Sequence, residues 1–241
     1  MKDRSAILAT PAPTRFANLA AAIDRLENQT LAKGGNSQLE ISAGVLEQLA
    51  ALALRMPAEH GLATGRWIVV RGPEARRRVA AAAYGQKLVS EAPALVVVLA
   101  DLAPERILGD QAYRLAIEAG LLSPEEVRRL SALASRAAGR WPDQAVWAVR
   151  HAMLTAGALM IGAAEIGLSA RLVADFDHAR LRAALGIPDD HEIAAIVALA
   201  TEAAEEPAAC KPPLEDLCFL DHFGQPWDSR GTQSDHRGPE E

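Results

Sequence analysis

The sequence predicts a protein of helices and short buried strands built around one long apolar helix. Three observations predict it. From Ala152 to Ala164 no charged residue appears, and Met153, Leu154, Leu159, Met160 and Ile161 surround a helical axis instead of lining one stripe. Three short apolar runs, Trp67 to Val70, Ala94 to Leu99 and Ile193 to Ala198, are rich in β-branched residues and read as strands covered on both faces. Between them, apolar residues recur at helical spacing.

In chain order, Thr14 follows a proline-rich lead (1–13) and caps a helix carrying Phe16, Leu19, Ile23 and Leu26, which ends before Gly34-Gly35. Ser42 caps a second helix with Val45, Leu46, Leu49 and Leu52, and Pro57 lies just past its end. A polar loop runs from Pro57 to Gly65. The first strand passes through Gly72-Pro73 into a helix with proline in its first turn, closed at Gly85. Between Leu102 and Arg140 lies a helical insertion, in which Ser123-Pro124-Glu125-Glu126 forms a capping box and Gly139 is the stop.

Asp143 then caps the long helix, which starts at Gln144 and is closed by Gly167. A short strand and a second helix closed by Gly186 follow. The long helix is expected to be buried on all sides, as a central pillar or a subunit seam. A membrane span is not expected, because Arg150, His151 and Glu165 bracket an uncharged run well short of the ~20 residues a bilayer requires.

A formal charge of −6 argues against nonspecific nucleic-acid binding, which needs a basic face. The run Arg76-Arg77-Arg78 does not overturn this, since it is read as the wet face of an alanine-rich helix. Cys210 and Cys218 alone make neither a disulfide framework nor a four-cysteine metal site, so a reducing compartment is expected. No charged-then-apolar leader is read in residues 1–13, and the expectation is a soluble, cytoplasmic protein. A single domain is expected over 14–217, with its insertion at about 102–140 and a partly disordered extension over 218–241.

The common catalytic signatures G-x-S-x-G, G-x-x-x-x-G-K-[ST] and G-x-G-x-x-G do not occur. Asp177-His178, Asp190-His191 and Asp221-His222 lie far apart without metal-ligand spacing, so no metal is expected. The first two are read as capping aspartates followed by exposed histidines. His60, beside Glu59 in the polar loop, is the one candidate for a catalytic proton donor.

The element order, and several words within it, resemble the FMN-dependent nitroreductase family. Arg66 to Glu74 looks like its first core strand and turn, and Glu91-Ala92-Pro93 like its "E-A-P" entry to the second. Ala163-Ala164-Glu165-Ile166-Gly167-Leu168 is similar to its "A-A-x-x-G-L" helix end. Phe176-Asp177, Leu185-Gly186-Ile187-Pro188 and Lys211-Pro212-Pro213-Leu214-Glu215-Asp216-Leu217 look like its next helix, that helix's exit and its tail motif.

The resemblance implies an α+β fold with a central mixed sheet flanked by helices, in an interlocked homodimer whose FMN sites lie at the subunit interface. It implies ping-pong chemistry: NAD(P)H, NADH or NADPH, reduces the flavin, which then reduces a nitroaromatic, quinone or similar small-molecule acceptor. It places Lys211 on the FMN phosphate and the main-chain N–H of Ala174 near flavin N5, with Thr30 and Lys33 as the remaining candidates for phosphate or ring, an alignment that keeps one shifting the other.

This chain departs from the pattern where the cofactor is gripped. The family's "R-R-S-x-R" word is here Asn28-Gln29-Thr30-Leu31-Ala32-Lys33, and Asp175 stands where a glycine is usual. Candidate compensating groups are Arg171, Gln86 and Lys87. The alternative implied by these departures is a nitroreductase-fold protein that has lost FMN and serves as a non-catalytic binding or assembly scaffold.

Overall fold

The computed structural model describes residues 29–31, 40–53, 55–58, 63–104, 117–138, 143–201, 203–205 and 212–225, with Ala21 and Arg114 besides. Of the helix expected from Thr14 to before Gly34, Ala21 is described and helical, but Gln29–Leu31 is a strand, so the helix does not run that far; the stop at Gly139 lies outside the described residues, as do His60, Lys33 and Lys211. The chain divides into two compact units, Met1–Glu206 and Pro207–Glu241.

In the first unit, strands β2 (Gly65–Val70), β3 (Ala94–Asp101), β4 (Ser169–Val173) and β5 (His191–Ala200) form a sheet in the order β2-β3-β5-β4. Every adjacent pair in it is antiparallel. The parallel partner that would make this sheet mixed is not among the described residues. All eight residues of β3 are buried, which explains their unbroken apolar run. Its side chains alternate between two cores: Val96 and Val98 join one, Leu95, Val97 and Leu99 the other.

The first core is covered by α1 (Ala43–Ala53) and the long helix α5 (Gln144–Glu165). Asp143 caps α5 as its type predicts, its carboxylate accepting from Val146 N at 3.0 Å. Ala148, Ala152, Ala156 and Ala163 lie at four- or seven-residue spacing along the buried face, and their small side chains let the helix lie close to the sheet. At Gly162 an added Cβ would stand 2.5 Å from Leu52 Cδ2, so this glycine lets α1 cross α5 closely.

The long helix is not buried on all sides in the single chain. Val146, Leu154 and Arg150, at i, i+8 and i+4, share one exposed face, Leu154 being 47% exposed. Composition registers how apolar a helix is, not what covers it. By length and mean hydropathy alone α5 could cross a membrane, but its other face is packed in the core of this sheet protein.

The second core lies under α2 (Pro73–Ala82), α3 (Lys87–Glu91) and α6 (His178–Leu185). Asp177 caps α6 through Arg180 N at 2.9 Å, and Gly186 ends it at φ 66°. The helix expected to run to Gly85 ends at Ala82, and a separate short helix restarts at Lys87. The arginines of α2 are not simply a wet face. Arg76 Nη1 donates to Ala92 O at 2.8 Å and Arg78 Nε to Ala184 O at 3.2 Å, tying α2 to its neighbours.

Asp190 is not a helix cap either. It sits in the turn before β5, where its carboxylate meets His191 Nδ1 at 2.7 Å. A two-stranded sheet pairs β1 (Gln29–Leu31) with β6 (Ala203–Glu205), and β1 lies against β4. In the insertion, α4 (Pro124–Ala138) begins at the expected capping box. The second unit holds α7 (Leu214–Leu217) and a turn in which the Phe219 and Phe223 rings stand 4.5 Å apart.

Candidate functional site

β5 has ten residues and β4 five, and this mismatch opens the site. The ladder pairs Val173 with Ile196 and stops, so β5 from His191 to Ala195 has no β4 partner. Near there β5 also carries a bulge, with Val98 opposite Ala195 and Leu99 opposite Ile193. A bulge moves the following side chains to the other face, which brings Ile193 into the second core. The chain leaves the sheet at Ala174 and crosses to α6 through Asp175, Phe176 and Asp177. Beside the unpaired half of β5 lies a groove of about 570 Å³, walled by Val146, Val149, Arg150 and Met153 of α5 and by His178, Glu192 and Ile193. Its floor is apolar, and its polar groups, Arg150, Glu192 and His178, come from three different elements.

The loop beginning at Ala174 is fixed from the far side by the α2–α3 junction. Asp177 N donates to Ala82 O at 2.9 Å, and Gln86 Nε2 donates to Asp175 O at 2.8 Å. Two hydrogen bonds spanning about ninety residues of chain thus hold a four-residue loop whose first two residues are exposed. Phe176 is buried in the second core and stacks obliquely on His178, ring centroids 4.6 Å apart.

Of the residues singled out from sequence, the structure brings Gln86 and the Ala174 loop together, with Lys87 exposed one position on. Gln86 occupies the N-cap position of α3, and its amide donates to the main-chain carbonyl of Asp175. Arg171 sits half-buried on β4, opposite Ala198, and Thr30 is the middle residue of β1, the strand lying against β4.

The residues flanking His60 are elsewhere. Pro57, Ala58, Ala63 and Thr64 border a small cavity against His151 and Thr155 of α5, on the sheet face opposite α2 and α6. Thr64 is fully buried there, its hydroxyl donating to Ala148 O at 2.8 Å. The described ends of the polar loop and the Ala174 loop are therefore on opposite faces of the sheet. No group of three or more His, Cys, Asp or Glu able to hold a metal ion occurs among the described residues.

The groove residues Val146, Arg150, Met153 and His178 were not among the candidates from sequence. The one available signal was the strand mismatch, hidden because β5 reads as starting at Ile193 while it starts at His191.

Residues 36–201, which span this sheet, both helical layers and the groove, match the Nitroreductase family. The chain belongs to the nitroreductase family. A Thermus thermophilus protein named NADH dehydrogenase is 30% identical over 175 residues, covering 73% of this chain and 84% of that protein. Among solved structures, a Bacillus subtilis protein described as a nitroreductase superposes with a TM-score of 0.76 at 19% identity, over 85% of this chain and 99% of that one. A Staphylococcus epidermidis protein described as an NAD(P)H:FMN oxidoreductase gives 0.76 at 15% identity, over 84% and 95% of the two chains. A protein from Exiguobacterium sibiricum described as a nitroreductase, solved in complex with FMN, gives 0.73 at 18% identity, over 85% and 96%. These likenesses establish the nitroreductase fold and support a flavin oxidoreductase in general terms.

Proposed function

We propose that this nitroreductase-family chain is a cytoplasmic, FMN-dependent oxidoreductase that takes electrons from NADH or NADPH and passes them to a nitroaromatic, quinone or similar small acceptor. The observation that carries the reading is the Ala174 loop, exposed and tied from behind by Gln86 and Ala82, next to an open apolar groove. A planar ring needs such a floor and a fixed main-chain edge. The relatives' names add nicotinamide and FMN to it.

The donor chemistry fits the ring half of the flavin. Ala174 supplies a main-chain N–H, Gln86 keeps that loop in place, and Lys87 and Arg171 bring positive charge toward its electron-rich edge. Lys211, Thr30 and Lys33 are assigned to the phosphate half by family resemblance. FMN, when bound, supplies the capacity to take a hydride and return two electrons. The chain's own task is to hold the ring, keep water from one face and leave the other open to donor and acceptor in turn.

The functional unit in this reading is a homodimer. The described ends of the polar loop, Pro57-Ala58 and Ala63-Thr64, lie across the sheet from the Ala174 loop, and in this reading a second copy brings the polar loop to the shared site. The exposed face of α5 offers the seam.

The visible spectrum of the purified protein tests the cofactor. A flavin absorption band in the visible should persist through desalting after incubation with FMN and bleach on adding NADH or NADPH. A colourless protein that stays colourless would instead favour the non-catalytic scaffold. That second reading has one observation of its own, Asp175, whose carboxylate is exposed on the loop expected to meet an electron-rich ring.

A further inference from the structure

The groove beside the unpaired half of β5 holds a cation in excess. Glu192, the one carboxylate among its described lining residues, already meets Arg182 Nη2 at 3.7 Å. Arg150 makes no hydrogen bond or ion pair among the described residues, and neither ring nitrogen of His178 is hydrogen-bonded there. The two residues stand on different helices, α5 and α6, so the fold and not local sequence brings them to one groove. Exposure divides the groove into two zones. Val149 and Met153 are half-buried and Ile193 is buried, which makes the apolar floor, whereas Val146, Arg150 and His178 are exposed at the rim. The floor suits a flat ring, and the rim is where a second molecule arrives from solution.

A guanidinium is planar, permanently charged and forked, and its best complement is a carboxylate, which accepts two parallel N–H bonds from it. An uncharged amide or quinone oxygen in the same place gains less. We propose that Arg150 is a specificity-determining residue for an acceptor that carries a carboxylate on a flat ring, so that anionic aromatic acceptors are preferred to neutral ones of the same shape. This rests on the function proposed above and names its substrate class. The ring lies against the apolar side of the groove, and the carboxylate meets Arg150 at the rim, with His178 offering a second polar group from α6.

The test compares R150M and R150K with the unaltered protein, each incubated with FMN and titrated without reductant, with saturation-transfer NMR as the readout. The probes are 4-nitrobenzoate and 4-nitrobenzamide, which share ring, nitro group and shape and differ in charge. The unaltered protein should bind the benzoate roughly three- to tenfold more tightly, a modest factor because Arg150 is exposed. R150M should abolish that preference, and R150K, which keeps the charge without the fork, should retain part of it. Arg150 has no hydrogen bond or ion pair to lose among the described residues, so both variants should fold and melt as the parent does. With NADH present, the ratio of kcat/KM for the benzoate to that for the benzamide should fall in R150M by the same factor as the binding preference. Equal affinity for the two probes in the unaltered protein, or a preference that survives R150M, would overturn the proposal. So would an equal loss in R150M of FMN affinity or of kcat/KM for NADH, which would move Arg150 to the phosphates of the cofactor or the dinucleotide. A preference for the benzoate that R150M removes, in a protein that holds no flavin, would sustain the anion site and remove the redox reading, so the two failures are told apart.

Discussion

Arg66 Nη2 meets Asp101 Oδ2 at 2.7 Å, joining a half-buried guanidinium to a carboxylate whose side chain is 3% exposed. The pair closes one end of the β2–β3 ladder. Asp101 Oδ1 accepts from Ala103 N at 2.9 Å, and Arg66 Nη1 donates to Ala63 O and Gly65 O. Both carboxylate oxygens and much of the guanidinium fork are thus satisfied. Removing the arginine leaves a buried charge with one main-chain donor, so R66M should lower stability by about 2–3 kcal/mol, the lower side of the buried-pair range because Arg66 keeps some contact with water. R66M/D101L should recover part of the loss. Urea unfolding of the three proteins checks both expectations, and an additive double variant would show that the pair is not coupled.

The bond from Gln86 to Asp175 O makes Gln86 a positioning residue for the loop that carries Ala174. Q86A removes one neutral hydrogen bond on a part-exposed side chain, a change of about 1 kcal/mol. Expected is a roughly fivefold weaker grip on FMN by fluorescence titration, with a melting temperature of the flavin-free protein little altered. If Q86A binds FMN as the parent does, the loop holds its shape without this amide.

At the start of α4 the capping box supplies a pH dependence. Glu126 accepts from Ser123 N at 2.8 Å and Ser123 Oγ at 2.7 Å. The Ser123 backbone N–H first, and its hydroxyl second, hold the Glu126 carboxyl below its ordinary 4.5. A folded-state value lowered in this way means that the box stabilises the helix fully above pH 4.5 and loses that contribution as pH falls through the lower folded value. Amide protection factors over residues 124–127 should therefore exceed those of E126Q at pH 6 and converge with them near pH 3. E126Q keeps a cap with nothing to titrate, so a gap that persists in acid would assign the effect to geometry instead of charge.

The features that were legible in the sequence are those closed over three or four residues. Asp143, Asp177 and Ser123 each bond a main-chain N–H three positions on, and Gly186 ends its helix by its own φ, so local residue types suffice. The illegible features depend on distant chain. Gln86 reads as a polar helix end because its partner is 89 residues away, and the restart at Lys87 is masked by the stop signal at Gly85. Asp190 reads like a cap, yet no helix follows it, only the early start of β5 that also exposes the groove.

The same limit explains the long helix, and its exposed face gives the last prediction. Val146 and Leu154 are 42% and 47% exposed on one face of a helix whose opposite face packs in the first core. In the proposed dimer this face is covered, and each copy buries a Leu154. L154E removes about 1.5 kcal/mol of apolar burial per copy and adds a carboxylate to each side. About 3 kcal/mol in total corresponds to a dimer dissociation constant at least a hundredfold higher. Sedimentation should then show monomer at concentrations where the unaltered chain is dimeric, with the circular-dichroism spectrum retained because Leu154 packs little within its own chain. FMN retention should fall along with dimerisation if the site draws on both protomers. A monomeric L154E that keeps its flavin would place the whole site within one chain, and an L154E that remains dimeric would move the seam off this face of α5.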